Sequence, residues 1–428
     1  MMTTMLISQK LTGIRMDFIS LMGCLVLSNS LFSQERIQDT ITAADILGNS
    51  TYLGISYGGY RALSRDVQPS INQIKADIRI LYTMGIRLLR TYNVNYPHAH
   101  NVLKAIRMLH EEDPSIEMYL VLGTWINCKN AYTPNADHTQ ESPANAIEIE
   151  KAIALANEYS DIVKIISVGN ESMVHWATDY FVSPNVILKW VNYLQELKAK
   201  GKLPSYLWIT SSDNFASWGG GDSSYQNEDL IQLIKAVDYL SIHTYPYHDT
   251  HYNPAFWEVA PENTVKSKKD RLDYALQQAV IYSANQYKQV KKYMLSLGVN
   301  KPIHIGETGW STASIGKYGK EGSKAADEYK QALFYEKILQ WSKKNKISCI
   351  YFSAFDEPWK YPNGPLASEN NFGLFTVDGK AKYALWSLVD KGLFEGLSRE
   401  ESGPPIVKTC GGDFNHLWNN INLPIYEK

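Results

Sequence analysis

Pro302-Ile303-His304-Ile305-Gly306-Glu307-Thr308-Gly309-Trp310 runs from apolar β-branched residues through a glycine into a carboxylate, then a second glycine and an indole. The leading half reads as a strand of a parallel sheet, where both faces are buried and apolar residues run together. A carboxylate at the end of such a strand lies at the C-terminal mouth, where α/β barrels keep their chemistry. Ile165-Ile166-Ser167-Val168-Gly169-Asn170-Glu171 has the same grammar.

Outward from these two stretches, strand-like and helix-like segments alternate, which is the signature of βα units around a parallel sheet. Strands are expected near Tyr52–Ser56, Ile86–Thr91, Ile116–Leu122, Val163–Val168, Tyr206–Ser211, Val237–His243, Ile303–Gly306 and Ile347–Ser353. The helices between them are punctuated. Ser183 and Pro184 open one, Gly201 closes it, and Gly85 and Gly298 end two others just before a strand. Eight units in one chain favour a single (β/α)8 barrel of the TIM type over an open sheet. Two long βα connections, Thr124 to Asn145 and Thr244 to Lys266, are expected to wall a cleft on the catalytic face.

The 428 residues are ample for one such domain, and 44% hydrophobic residues can fill its core. Forty-two basic residues against 44 acidic argue against a nucleic-acid partner, which would call for a basic excess. Lys10 and Arg15 precede an apolar run from Phe18 to Leu27, and small residues follow at Ser28 and Ser30. Residues 1–33 are therefore expected to be a signal peptide, 34–397 the barrel, and 398–428 a C-terminal extension either packed on the barrel or partly mobile. Export, to the medium or the periplasm, is the expectation. Leu21-Met22-Gly23-Cys24 also resembles a lipobox, which leaves a lipid anchor at Cys24 and a surface lipoprotein as an alternative. The run is too short for a membrane span. Without the leader three cysteines remain, so no disulfide framework defines the fold; a Cys128–Cys410 bridge stays open, and Cys349 reads as a buried thiol.

Glu171 and Glu307 are the candidate catalytic residues. Hydrolysis of a glycosidic bond with retention needs two carboxyls about 5–5.5 Å apart, one to protonate the leaving oxygen and one to attack. An amide beside the acid, here Asn170, can hold a sugar hydroxyl. Glycines beside Glu307 suit a carboxylate that must closely approach an anomeric carbon. Helix capping at Asn170-Glu171 and an ordinary turn at Glu307 are the plain alternatives. Phe355-Asp356-Glu357-Pro358-Trp359-Lys360, after the eighth strand, adds carboxylates, a cation and rings. Histidines at 98, 100, 243, 248 and 251 are too loosely spaced for a zinc site, although His243 is expected to line the cleft; no metal and no cofactor are expected.

Taken together, Gly169-Asn170-Glu171, Gly306-Glu307-Thr308-Gly309-Trp310 and Phe355-Asp356-Glu357-Pro358-Trp359-Lys360 resemble family 17 of the glycoside hydrolases, the β-1,3-glucanases and β-1,3-glucanosyltransferases. Gly54-Ile55-Ser56-Tyr57-Gly58, Arg87-Leu88-Leu89-Arg90-Thr91-Tyr92, Tyr245-Pro246-Tyr247 and Asn371-Phe372-Gly373-Leu374-Phe375 extend the likeness from about Leu53 to Trp386. The resemblance implies Glu171 as acid/base and Glu307 as nucleophile. It implies Tyr57 and Tyr245 near the nucleophile, and Glu357 with Lys360 as a charged pair on the sugar. Trp310 and Trp359 would be stacking surfaces, and Arg90, Tyr92 and Asn170 would be further substrate contacts. The implied activity is endo-hydrolysis of β-1,3-glucan by a monomer. Glucanosyl transfer, a β-1,4-linked substrate and a non-catalytic carbohydrate-binding barrel remain as alternatives.

Overall fold

The computed structural model describes residues 41–260 and 267–424; the expected signal peptide and Cys24 lie outside them. Eight parallel strands close into a barrel: β1 (Leu53–Ser56), β2 (Ile86–Arg90), β3 (Tyr119–Thr124), β4 (Val163–Asn170), β5 (Trp208–Asn214), β6 (Leu240–His243), β7 (Ile303–Gly309) and β8 (Cys349–Phe352). Each pairs with the next, and β8 returns to β1 through Gly54 opposite Ile350 and Ile55 opposite Tyr351. The eight strands and their order are those expected from the sequence. Their ends are not: β4, β5 and β7 run two or three residues further toward the C-terminal mouth, so Asn170, Asp213 and Glu307 lie within strands.

Helices follow the strands and cover the barrel, among them Ile71–Thr83, His98–Glu112, Ala144–Glu158, Pro184–Ala199, Lys268–Ser296 and Glu328–Asn345. Ser70 and Gln73 form a reciprocal capping box that starts the first of these. Alternation along the strands sorts side chains into two cores. Leu89, Leu120, Ile166 and Tyr351 pack toward the helices. Leu88, Val121, Ile165 and Ile350 gather with Ala43, Ile46 and Leu47 of a short N-terminal helix, which packs against the barrel interior. Truncating a residue such as Leu120, fully buried, would cost about 2–5 kcal/mol. Alternation also puts Arg90 on the same side as Leu88, pointing its guanidinium into the barrel at the mouth.

The connection after β3 carries an antiparallel hairpin, Cys128–Lys129 with Asp137–Glu141, and the one after β6 carries a helix, Pro246–Tyr252. Cys128 and Cys349 are buried and Cys410 is exposed, all three as free thiols, so the Cys128–Cys410 bridge is not formed. The segment from Ser398 to residue 424 lies against the barrel. Leu417 and Ile421 join Leu272, Tyr329 and Trp386 in a small separate core. Among the described residues, no helix is long and apolar enough to cross a membrane.

Candidate active site

Glu307 is placed by β7, whose seven residues are all buried. A register shift between Ile242 and His243 brings His243 opposite Glu307 on the neighbouring strand. Just below, a Cβ on Gly306 would collide with the hydroxyls of Ser241 and Ser212, so only glycine lets β7 approach them. The Glu307 carboxylate accepts hydrogen bonds from three side chains. Arg90 Nη1 and Tyr92 Oη (2.7 Å) donate to Oε2, and Tyr245 Oη (2.6 Å) donates to Oε1. Burial alone would push this carboxyl up. The charges of His243 and Arg90 and the two tyrosine hydroxyls outweigh it and hold Glu307 down at about 2. It is an anion throughout the physiological range.

Arg90 is itself buried and ties three strands together. Besides Glu307 it donates to the Gly306 carbonyl at 3.1 Å and to Asn170 Oδ1 at 2.6 Å. A guanidinium only donates, so the oxygen of Asn170 faces it and the amide nitrogen is left for a ligand.

Glu171 is held differently. Its backbone is left-handed, with φ +47°, a conformation costing a non-glycine residue on the order of 1 kcal/mol. The turn is fixed by its N–H, which donates to the Ser212 carbonyl at 3.0 Å. Its carboxyl meets His243, with Oε1 3.0 Å from Nδ1. His243 has no exposure, and its Nε2 lies 2.7 Å from Ser212 Oγ, which lies 2.9 Å from Ser241 Oγ. Asp213 sits behind this group. Burial pushes it up to about 7, although it accepts the N–H groups of Met173 and Asn214 at 2.8 Å.

On the far side, Glu357 and Lys360 stand 3.5 Å apart, and Lys360 lies over the Phe352 ring at 4.2 Å. Burial raises Glu357 above the ordinary carboxylate range. Trp359 is half-buried and stacks under the Arg65 guanidinium at 4.3 Å, which covers one of its faces.

Arg90, Tyr92, Asn170 and Tyr245 thus gather with Glu171 and Glu307 at one mouth, and Glu357, Lys360 and Trp359 stand in the segment after β8. Two expected residues lie elsewhere. Tyr57 is buried and donates to Asp77 on the first covering helix at 2.8 Å, away from Glu307. Trp310 has no exposure; its indole N–H donates to the Ala325 carbonyl, and Trp257, Tyr247 and Phe334 surround it, so it is packing and offers no stacking face. Ser212 and Asp213 join the site beyond the residues expected from the sequence. The signal was there in Ser211-Ser212-Asp213-Asn214, a polar run ending a strand that faces the mouth. Among the described residues no group of three His, Cys, Asp or Glu side chains could hold a metal ion.

A closed (β/α)8 barrel with two glutamates at the ends of its fourth and seventh strands carries the paired carboxyls of a glycoside hydrolase. The profile of the BtgE/BtgC glycoside hydrolase domain matches residues 54–373, and the chain belongs to that family. An endo-laminarinase from Formosa Hel1_33_131 is 60% identical in sequence, with a TM-score of 0.89 over 91% of this chain and 98% of that one. A glucan 1,3-beta-glucosidase of Arthroderma benhamiae is 28% identical over 62% of this chain and 70% of its own length. A glycoside hydrolase family 17 β-1,3-glucanosyltransferase from Rhizomucor miehei shares the fold, with a TM-score of 0.54 at 21% identity, over 78% of this chain and 96% of that one. The chain spans 40% of the length of the btgC relative from Aspergillus niger that it also matches.

Proposed function

We propose that the chain is a retaining endo-hydrolase of β-1,3-glucan. The observation that carries this reading is the contrast within one mouth: Glu307 is buried among cationic and hydroxyl donors that keep it an anion, whereas Glu171 leans on one histidine. The likeness to an endo-laminarinase at 60% identity supports the substrate. Glu307 attacks the anomeric carbon as Glu171 gives its proton to the departing glycosidic oxygen, leaving a glycosyl ester on Glu307 and a free sugar end. Glu171, now a carboxylate, takes a proton from water; the hydroxide oxygen bonds to the anomeric carbon and the ester breaks. Arg90 and the tyrosine hydroxyls, aimed at Glu307 before the reaction, need no rearrangement as its charge is spent and regained.

The test is digestion of linear and β-1,6-branched β-1,3-glucans with product lengths resolved. Products shorter than the substrate, with internal cuts and a β-configured new reducing end, are expected. Products longer than the substrate would make the chain a glucanosyltransferase. Binding with no products would leave a carbohydrate-binding barrel. We also propose that the protein acts as an exported monomer. Size-exclusion chromatography and N-terminal sequencing of the mature protein check that.

A further inference from the structure

The C-terminal segment reaches the catalytic face through one buried carboxylate. Asp77, on the helix Ile71–Thr83, has no exposure and collects Tyr57 Oη at 2.8 Å, Arg61 Nη2 at 2.9 Å and Arg399 Nε at 3.1 Å. Two of these donors come from the connection after β1 and one from the segment that follows the barrel. Arg61 stitches the two together. It donates to the carbonyls of Gly59 (2.7 Å) and Arg399 (2.9 Å) and to Glu400, while Gln73 holds the other oxygen of Glu400 at 2.8 Å.

What this lattice holds in place is the floor under Glu357. A Cβ on Gly58 would collide with Glu357 Oε1, so the carboxylate rests against bare backbone there. Tyr57 and Gly59, on either side of Gly58, are the two points that Asp77 and Arg61 fix. Arg399 also presses its guanidinium on the Phe355 ring at 3.8 Å, two residues before Glu357. Lys382 holds Asp356, the residue between them, at 2.7 Å. Glu357 is therefore bracketed from the Gly58 side and from its own chain, and Arg399 stands behind both brackets.

We propose that Arg399 and Glu400 are positioning residues for the Glu357–Lys360 pair, so that the C-terminal segment sets the geometry of a sugar contact it does not itself touch. The proposal rests on the reading that this pair faces the glucan. A salt-bridged tail that served only stability would have no reason to converge on Gly58 and Phe355, the two supports of one carboxylate.

The test is a double-mutant cycle on the full chain with a linear β-1,3-oligosaccharide. Glu357→Gln, Arg399→Lys and the two together are compared in kcat, KM and melting temperature. Arg399→Lys keeps the charge and loses the fork and the flat stack on Phe355. It is expected to lower kcat/KM roughly tenfold in the native background and to have little further effect once Glu357 is Gln. Equal losses in both backgrounds, or none in either, would overturn the proposal while leaving the sugar-contact reading intact. Glu357→Gln without effect would overturn that reading and the proposal with it. Should Arg399→Lys fail to fold, Glu400→Ala takes its place, since it cuts the ties to Arg61 and Gln73 from a half-exposed side chain.

Discussion

The two glutamates occupy the same mouth on opposite strands, and their surroundings share little. Glu307 sits within β7, buried, with each carboxylate oxygen taken by a donor from another βα unit. Glu171 sits on a left-handed turn, with a histidine as its side-chain partner. A nucleophile must be ionised and immobile; a group that both gives and takes a proton needs a carboxyl that can exist in either state. On the proposed reading, that difference in housing is what separates the nucleophile from the acid/base, which their shared position at strand ends does not.

The sharpest way to break that assignment is to remove each carboxyl and supply an external nucleophile. Glu307→Ala is expected to lose at least about 10³-fold in turnover while still binding glucan. Azide would then attack from the vacated face and give the inverted glycosyl azide. Glu171→Ala should still form the glycosyl-enzyme from a substrate with a good leaving group. Azide would then intercept that intermediate and give the retained product. Chromatography and NMR of the azides read this directly, and an exchange of the two stereochemical outcomes would reverse the roles.

Arg90→Met comes next, because it strips the counter-charge from a buried carboxylate. A loss of about 3–5 kcal/mol at pH 7 is expected, as for other buried pairs broken on one side. The pH dependence identifies the cause. Glu307 lies at about 2, below its ordinary 4.5, so its ionisation contributes stability fully present above 4.5 and lost as pH falls toward 2. Without Arg90 that contribution shrinks, and the remaining penalty is relieved when Glu307 takes a proton. Denaturant titrations should find the gap between native and variant narrowing as pH drops below about 4.5. A gap constant with pH would place the stabilisation in the bonds from Arg90 to Gly306 and Asn170 instead.

The same contrast explains how far the sequence could be read. The barrel and both glutamates were legible because they depend on local features: apolar runs of strand length, closing glycines, and acidic residues at the strand ends. Side-chain direction beyond a strand was not. Tyr57 and Trp310 each follow a barrel strand, as Tyr245 does, yet Asp77 draws Tyr57 outward and the Ala325 carbonyl draws Trp310 into packing. Those partners lie 15 to 20 residues away and carry no periodic signal. His243, which was expected to line the cleft, meets the Glu171 carboxyl, but the register shift that sets it opposite Glu307 left no mark in the sequence. The C-terminal segment showed no pattern because isolated contacts and one short apolar patch hold it, not a periodic face: Arg399 on Asp77, a bridge from Ala381 to Lys408, and Leu417 with Ile421 against Trp386.

The smallest expected effect probes one donor of the crowded site. Tyr245→Phe deletes the bond to Glu307 Oε1 and leaves Arg90 and Tyr92 on Oε2. A hydrogen bond to a charged group is worth about 1.5–3 kcal/mol, so kcat/KM should fall about tenfold to a hundredfold. The Tyr245 hydroxyl is one of the groups that hold the Glu307 carboxyl down, so without it the folded-state value rises from about 2. Activity needs the anion and disappears as pH falls through that value, so the acid limb of the kcat/KM profile should move to higher pH. Tyr92→Phe removes a second hydroxyl from the same carboxylate and should shift the limb in the same direction. An acid limb unmoved in both variants would mean that the charges of Arg90 and His243 alone keep the nucleophile ionised, with the tyrosines acting only to orient it.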